Sequence, residues 1–275
     1  MIDNIETNTV YFSELLPKNY SQNYKQLIKI LNKHQIKYKH IKATKDIWCR
    51  DYMPIQVNES KFVQFRYEPS YLKYNLELQS DPKEVCKENG IEVIFSDINL
   101  DGGNIVSCSS KAILTDRVFD ENPQYNKLQL VDELEKLLEV EIIIIPQIKT
   151  DMTGHSDGMV RFVNSSIILV NDRDKDLKYI VNGINKAMKT HNIECIDIPF
   201  FEYKSKKHKD NAIGCYMNYL EVKDLIVLPI FGIDKDLDDE VVNQFKEIFK
   251  TKKIETINYN TIGLEGGLLN CTSWT

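Results

Sequence analysis

One pattern of elements recurs five times along the 275 residues, and it restricts the fold more than any other feature of the chain. Apolar residues at helical spacing mark amphipathic helices at Tyr24, Leu27, Ile28 and Leu31, at Leu130, Leu134, Leu137 and Leu138, and at Val241, Val242, Phe245, Ile248 and Phe249. Asp81 to Asn89, stopped by Gly90, and Asp174 to His191 predict two more. A strand-like run rich in β-branched residues follows each helix: Ile36 to Ile41, Ile91 to Phe95, Val140 to Pro146, Ile193 to Pro199 and Lys253 to Ile257. Each run feeds a polar turn, marked in order by Asp51, Asp101, Asp157, Asn218 and Cys271, and in all but the last a second apolar stretch follows. The turns recur at intervals of roughly 50 to 60 residues, too short for a unit to bury its own apolar face. Neighbouring units must therefore pack on one another, with equivalent turns meeting at one end. The expectation is an α/β fold in a single domain over residues 1–275. Alternation of helices and strands is shared by α/β proteins in general, so the chemistry of the turns has to carry the rest.

With 42% hydrophobic and 28% charged residues the chain has the composition of a globular protein. A globule of this length needs no covalent staples. Its six cysteines, Cys49, Cys86, Cys108, Cys195, Cys215 and Cys271, form no C-x-x-C pair and lie near no paired histidines, so neither a disulfide framework nor a metal site is expected. The acidic opening Met1-Ile2-Asp3-Asn4-Ile5-Glu6 lacks the positive charge of a signal peptide, and no apolar run approaches ~18 residues. A cytoplasmic protein with no membrane partner is expected. The net charge of −6 disfavours non-specific nucleic-acid binding and favours attraction of a cation.

The turns hold unusual groups. Gly154-His155-Ser156-Asp157-Gly158 sits between two apolar strands, and its glycines let backbone come close to a ligand. His155 and Asp157 share a face if the segment is extended, although such a pair is also common as plain surface polarity. Cys271 follows Glu265-Gly266-Gly267 and is the candidate nucleophile; inert packing is the usual fate of a free cysteine, and Cys108 and Cys195 fit it better. Asp51 beside Arg50 reads equally as half of an ion pair, and Asp101 before Gly102-Gly103 as a turn former. Brought together, the turns would give one pocket three carboxylates, an imidazole, a thiol and the Asn218 amide. Carboxylates on two sides match the donor fork of a guanidinium. A thiolate can attack its central carbon, with the imidazole serving first as acid and then as base. No metal and no organic cofactor is needed.

Those residues fall in ordered motifs: Trp48-x-Arg50-Asp51-x-x-Pro54, Asp101-Gly102-Gly103-Asn104, Gly154-His155-x-Asp157-Gly158-x-x-Arg161-Phe162, Tyr216-x-Asn218-Tyr219 with Val227-x-Pro229-x-Phe231-Gly232, and Gly266-Gly267-x-x-x-Cys271. The set resembles the agmatine deiminase and bacterial (Porphyromonas-type) peptidylarginine deiminase family of the pentein superfamily. The resemblance implies a five-bladed α/β propeller that hydrolyses a guanidinium group to a ureido group and ammonia. It implies Cys271 as nucleophile, His155 as general acid and base, and Asp51 with Asp157 as the clamp on the substrate. It leaves Trp48, Asn218, Gly267 and Arg161 as expected substrate contacts. Asp101 stands where relatives carry Glu, and its shorter side chain is expected to reach less far towards His155. Agmatine is the leading small guanidine substrate. Free or peptidyl arginine, an amidinotransferase, and a non-catalytic pentein binding module are the alternatives, the last disfavoured by retention of Cys271, His155, Asp51 and Asp157. A symmetric homodimer is in keeping with the chain's size, and the aromatic segment 65–74 is expected to form an irregular loop over the site.

Overall fold

The computed structural model describes residues 1–275. Five small sheets account for its strands. β1 (Thr9–Ser13) and β2 (Lys37–Ile41) pair in parallel. The next three sheets run β3 (Ile55–Gln56), β4 (Phe62–Arg66) and β5 (Ile94–Asn99); β6 (Val106–Ser107), β7 (Lys111–Thr115) and β8 (Glu141–Ile145); and β9 (Val160–Asn164), β10 (Ile167–Asn171) and β11 (Glu194–Ile198). The last holds β12 (Leu220–Val222), β13 (Leu225–Ile230) and β14 (Lys253–Asn258). In every three-stranded sheet a hairpin supplies an antiparallel pair, and the third strand lies parallel to the central one. Parallel pairing demands a crossover. A helix provides it in each case: Ser21–Lys33, Pro82–Glu88, Lys127–Leu138, Lys178–Thr190 and Lys235–Ile248.

The sheet unit is thus strand, strand, helix, strand, and the polar turns join the last strand of one sheet to the first of the next. The unit read from the sequence, beginning at the helix, straddles two sheets. The first sheet lacks a hairpin of its own. Its antiparallel contact comes from the far end of the chain, where Tyr11 N donates to Trp274 O at 2.7 Å and Trp274 N donates to Tyr11 O at 2.9 Å. The Trp274 indole is buried against Tyr11 and Phe62 and donates to Pro54 O at 2.7 Å. These contacts anchor the residues that follow Cys271.

Burial explains which face each helix presents. The Ser21–Lys33 helix buries Leu27 and Leu31, and the Lys235–Ile248 helix buries Val241 and Phe245, in one apolar cluster with the β13 residues Leu225 to Leu228. Each such side chain contributes roughly 1.5–3 kcal/mol. β13 is buried on both faces, which is why it reads as a continuous apolar run rather than an alternating one. Three elements differ from expectation. β5 starts at Ile94 rather than Ile91, because Ile91 N bonds Cys86 O and is spent closing the preceding helix. The fourth crossover helix starts at Lys178 rather than Asp174, since Asp172 accepts from Asp174 N and Asp176 N in a turn. Phe65 and Arg66 belong to β4, so the aromatic loop begins at Tyr67. No helix is long and apolar enough to cross a membrane.

Candidate active site

Three of the turns are short. The helical turn Cys49–Tyr52 presents Asp51, the 3-10 turn Gly102–Asn104 follows Asp101, and the 3-10 turn Ser156–Gly158 follows His155 and contains Asp157. Cys271 lies beyond β14 and the short helix Asn260–Gly263. A longer irregular connection, residues 199–219, carries Asn218. The turns are packed on one another: Gly103 N donates to Asp51 Oδ1 at 3.1 Å, and a Cβ on Gly103 would lie 2.5 Å from both Asp51 Oδ1 and His155 Nδ1. Only a residue without a side chain allows the second and third turns to come this close.

Asp51, His155, Asp157, Asn218, Trp48, Gly267 and Cys271 line one cavity of about 1100 Å³. Asp101 stands behind it, and its Oδ2 is 2.8 Å from His155 Nε2. The shorter side chain still contacts the imidazole. His155 Nδ1 lies 3.6 Å from Asp51 Oδ1, an ion-pair distance rather than a hydrogen bond. Burial opposes protonation of His155, but the Asp51 and Asp101 carboxylates outweigh it and push the imidazole up to about 9. Burial also raises Asp51, with Asp101 and Asp157 adding to the shift and His155 opposing it. A carboxylate faces each imidazole nitrogen, which favours the protonated form of His155.

On the thiol side, Asn218 Nδ2 lies 3.1 Å from Cys271 Sγ and 3.1 Å from Asp157 Oδ2, while Cys271 N and Asn270 N donate to Asn218 Oδ1 at 3.3 and 3.1 Å. Asn270 Nδ2 donates to Asp157 Oδ2 at 2.7 Å. Cys271 Sγ is 3.8 Å from that same oxygen. Burial and then the charges of Asp157 and Asp51 push the thiol well above its usual range. Both carboxylates thus favour the neutral thiol, and a cation held between them would offset their charge. Gly267 packs under Trp48: a Cβ there would fall 2.5 Å from Trp48 Cζ3 and 3.0 Å from Cys271 Cβ.

Arg161 is the exception among the expected substrate contacts. It is buried away from the cavity, with its guanidinium 4.2 Å from the centre of the Tyr219 ring, Nη1 donating to Tyr219 O at 3.0 Å, and Nη2 3.7 Å from Glu221 Oε2. These contacts make it a structural cation. Two groups were missed by sequence reasoning. Asn270 orients Asp157, and its position next to Cys271 was the available signal. Arg50 fixes the thiol's backbone from beneath, its N donating to Cys271 O at 3.2 Å and its Nε to Asn270 O at 3.4 Å. Its place in the Trp48-x-Arg50-Asp51 motif pointed to the site without giving this role. Histidine, cysteine and acids form no metal-binding cluster.

An α/β fold of this topology, with a thiol, an imidazole and carboxylates at the meeting of its turns, defines the class of the pentein deiminases. The match of residues 2–275 to the Porphyromonas-type peptidyl-arginine deiminase model places the chain in that family. Solved structures agree on the fold. An agmatine deiminase from C. jejuni is 19% identical with a TM-score of 0.81, covering 99% of this chain and 94% of its own. An agmatine deiminase from Enterococcus faecalis is 15% identical with a TM-score of 0.76, covering 100% and 94%. A putative arginine deiminase from Porphyromonas gingivalis is 14% identical with a TM-score of 0.79, covering 100% and 96%. Comparison with curated proteins gives no significant match.

Proposed function

We propose that the protein is a single five-bladed α/β propeller that hydrolyses a guanidinium group to a ureido group and ammonia through a covalent adduct on Cys271. The observation that carries this reading is the approach of Cys271, His155, Asp51 and Asp157 to one cavity. Five sheets of matching construction, with Trp274 supplying the first one's antiparallel contact, support the propeller.

Asp51 and Asp157 hold the planar cation, and its charge lowers the pKa of the adjacent thiol. The thiol proton leaves to solvent, Cys271 Sγ bonds to the guanidinium carbon, and His155 delivers its proton to the departing nitrogen, which leaves as ammonia. The imidazole, now neutral, takes a proton from water. The remaining hydroxide bonds to the same carbon, the C–S bond breaks with its electron pair returning to sulfur, and the hydroxyl proton passes to that sulfur as the ureido C=O forms and the product leaves. Asn218 and Asn270 hold Asp157 at the sulfur throughout.

Agmatine is the leading substrate, in keeping with the neighbours named agmatine deiminase. Arginine carried on a peptide is a second reading, in keeping with the description of the family and with a cavity of about 1100 Å³ that a small guanidine alone would not fill. Lys204, Lys206 and Lys209 line it together with Glu202, Asp210 and Glu265, so an amine or a carboxylate tail finds a counter-charge. The test is release of ammonia and ureido product from agmatine, arginine, arginine esters and arginine-terminated peptides. Cys271→Ala should lose ~10⁴-fold or more in turnover with the best substrate. Parental ammonia release by that variant would remove the proposal.

A further inference from the structure

Tyr71 belongs to the cluster yet has no part in the chemistry above. Its hydroxyl donates to Asp101 Oδ2 at 3.0 Å, the same oxygen that lies 2.8 Å from His155 Nε2. The Asp101 side chain has no other hydrogen-bond partner, so these two contacts alone set its orientation. The Tyr71 ring meets the imidazole edge-on, with centroids 6.2 Å apart and planes at 68°. Its other contacts reach out of the cavity. The Arg117 guanidinium lies 5.5 Å from the ring centre, pairs with Glu121 at 2.9 Å and donates to Ser70 Oγ at 3.0 Å. Ser70 in turn donates through its hydroxyl to Glu121 at 2.6 Å. The residue before Tyr71 is therefore held by an ion pair outside the site.

We propose that Tyr71 is a positioning residue: its hydroxyl fixes the Asp101 carboxylate against His155 and takes up part of the carboxylate's charge. The loop after β4 then sets how strongly the imidazole holds its proton. An oxygen that accepts from a tyrosine as well as an imidazolium stabilises the imidazolium less than one that accepts from it alone. Other ionisable groups facing the pair are Asp51 from the Cys49–Tyr52 turn, Asp157 from the imidazole's own turn, Tyr67 from the start of the loop and Arg117 above the Tyr71 ring. Of these, Tyr67 alone also meets the Tyr71 hydroxyl, and the double variant below separates that contact from the one to Asp101.

The kinetic part of this inference rests on the deiminase reading; the titration part does not. In Tyr71→Phe the ring and its packing remain. Histidine-labelled protein without substrate, with the His155 signal assigned by its loss in His155→Asn, should titrate about half a unit or more higher in Tyr71→Phe than in the parent. The kcat for the best guanidine should fall ~10-fold, the loss expected for a hydrogen bond to a charged group, with KM within about twofold. The histidine limb of the pH profile should move up with the titration. A double variant with Asp101→Asn should titrate as Asp101→Asn alone, because the hydroxyl acts through that carboxylate. A Tyr71→Phe protein with parental titration and kcat, impaired only as Tyr71→Ala, would reduce Tyr71 to packing and overturn the proposal. So would shifts that simply add in the double variant. If the parent releases no ammonia from any guanidine, the deiminase reading fails while the titration still decides the role of Tyr71.

Discussion

If a bound cation ionises Cys271, the thiol should react far faster with a cationic electrophile than with a neutral one of the same shape. Chloroacetamidine and chloroacetamide form such a pair: each alkylates sulfur and expels chloride, but only the first carries a planar charge like that of guanidinium. Burial and the Asp157 and Asp51 charges hold the thiol well above its usual range. A cation ~4 Å from the sulfur, at an effective dielectric constant of ~20, stabilises the thiolate by ~4 kcal/mol, or ~3 pKa units. That raises the thiolate fraction ~10³-fold. The thiolate of lower pKa is also a weaker nucleophile, and a Brønsted coefficient near 0.5 returns about half of the gain on a logarithmic scale, leaving ~30-fold. The assay follows alkylation of the peptide containing Cys271 by mass spectrometry at pH 7, with each rate divided by that of free cysteine. The ratio should narrow as the pH approaches the thiol's own pKa. A normalised preference within about twofold of unity would refute the idea that a cation between the acids activates this sulfur.

Arg161→Leu should destabilise the fold by about 3 kcal/mol in urea, at the low end for a broken buried pair because Lys252 stays on Glu221, and leave KM near parental; parental stability with a raised KM would restore Arg161 to the substrate. Trp274→Ala removes a buried indole and its bond to Pro54 O, at a cost of about 3–5 kcal/mol. A loss under about 1 kcal/mol in denaturant would show that the chain end does not secure the first sheet. His155 binds its proton more tightly folded than unfolded, so the stability it adds is complete below 6.5 and lost as pH rises through about 9. That interval corresponds to up to about 3 kcal/mol, and urea midpoints across it should fall less steeply in Asp101→Asn than in the parent.

The fivefold repeat was legible because helical and strand periodicities are local, and each crossover helix carries its own apolar stripe. Where the repeat begins was not, since a polar turn looks the same whether it closes one sheet or opens the next. Asp51, His155, Asp157, Asn218 and Cys271 were visible as the turn residues with reactive groups. Their supports depend on pairings across the sequence: Asn270 with Asp157, Tyr71 with Asp101, Arg161 with Glu221. No spacing rule connects such partners. Arg161 misled because it came with the Gly154 to Phe162 motif of the resemblance, whereas its partners Tyr219 and Glu221 hold it buried away from the cavity. Whether Asp101 would touch His155 was not legible either, because it depends on how closely the turns pack, which Gly103 permits.

The most direct measurement is a mass spectrum of protein quenched by acid during steady turnover of the best guanidine substrate. The account predicts an amidino-type adduct on the peptide containing Cys271, formed and consumed at rates that account for ammonia release, and absent from Cys271→Ser. Ammonia release without any such adduct, at a rate that survives Cys271→Ser, would contradict it.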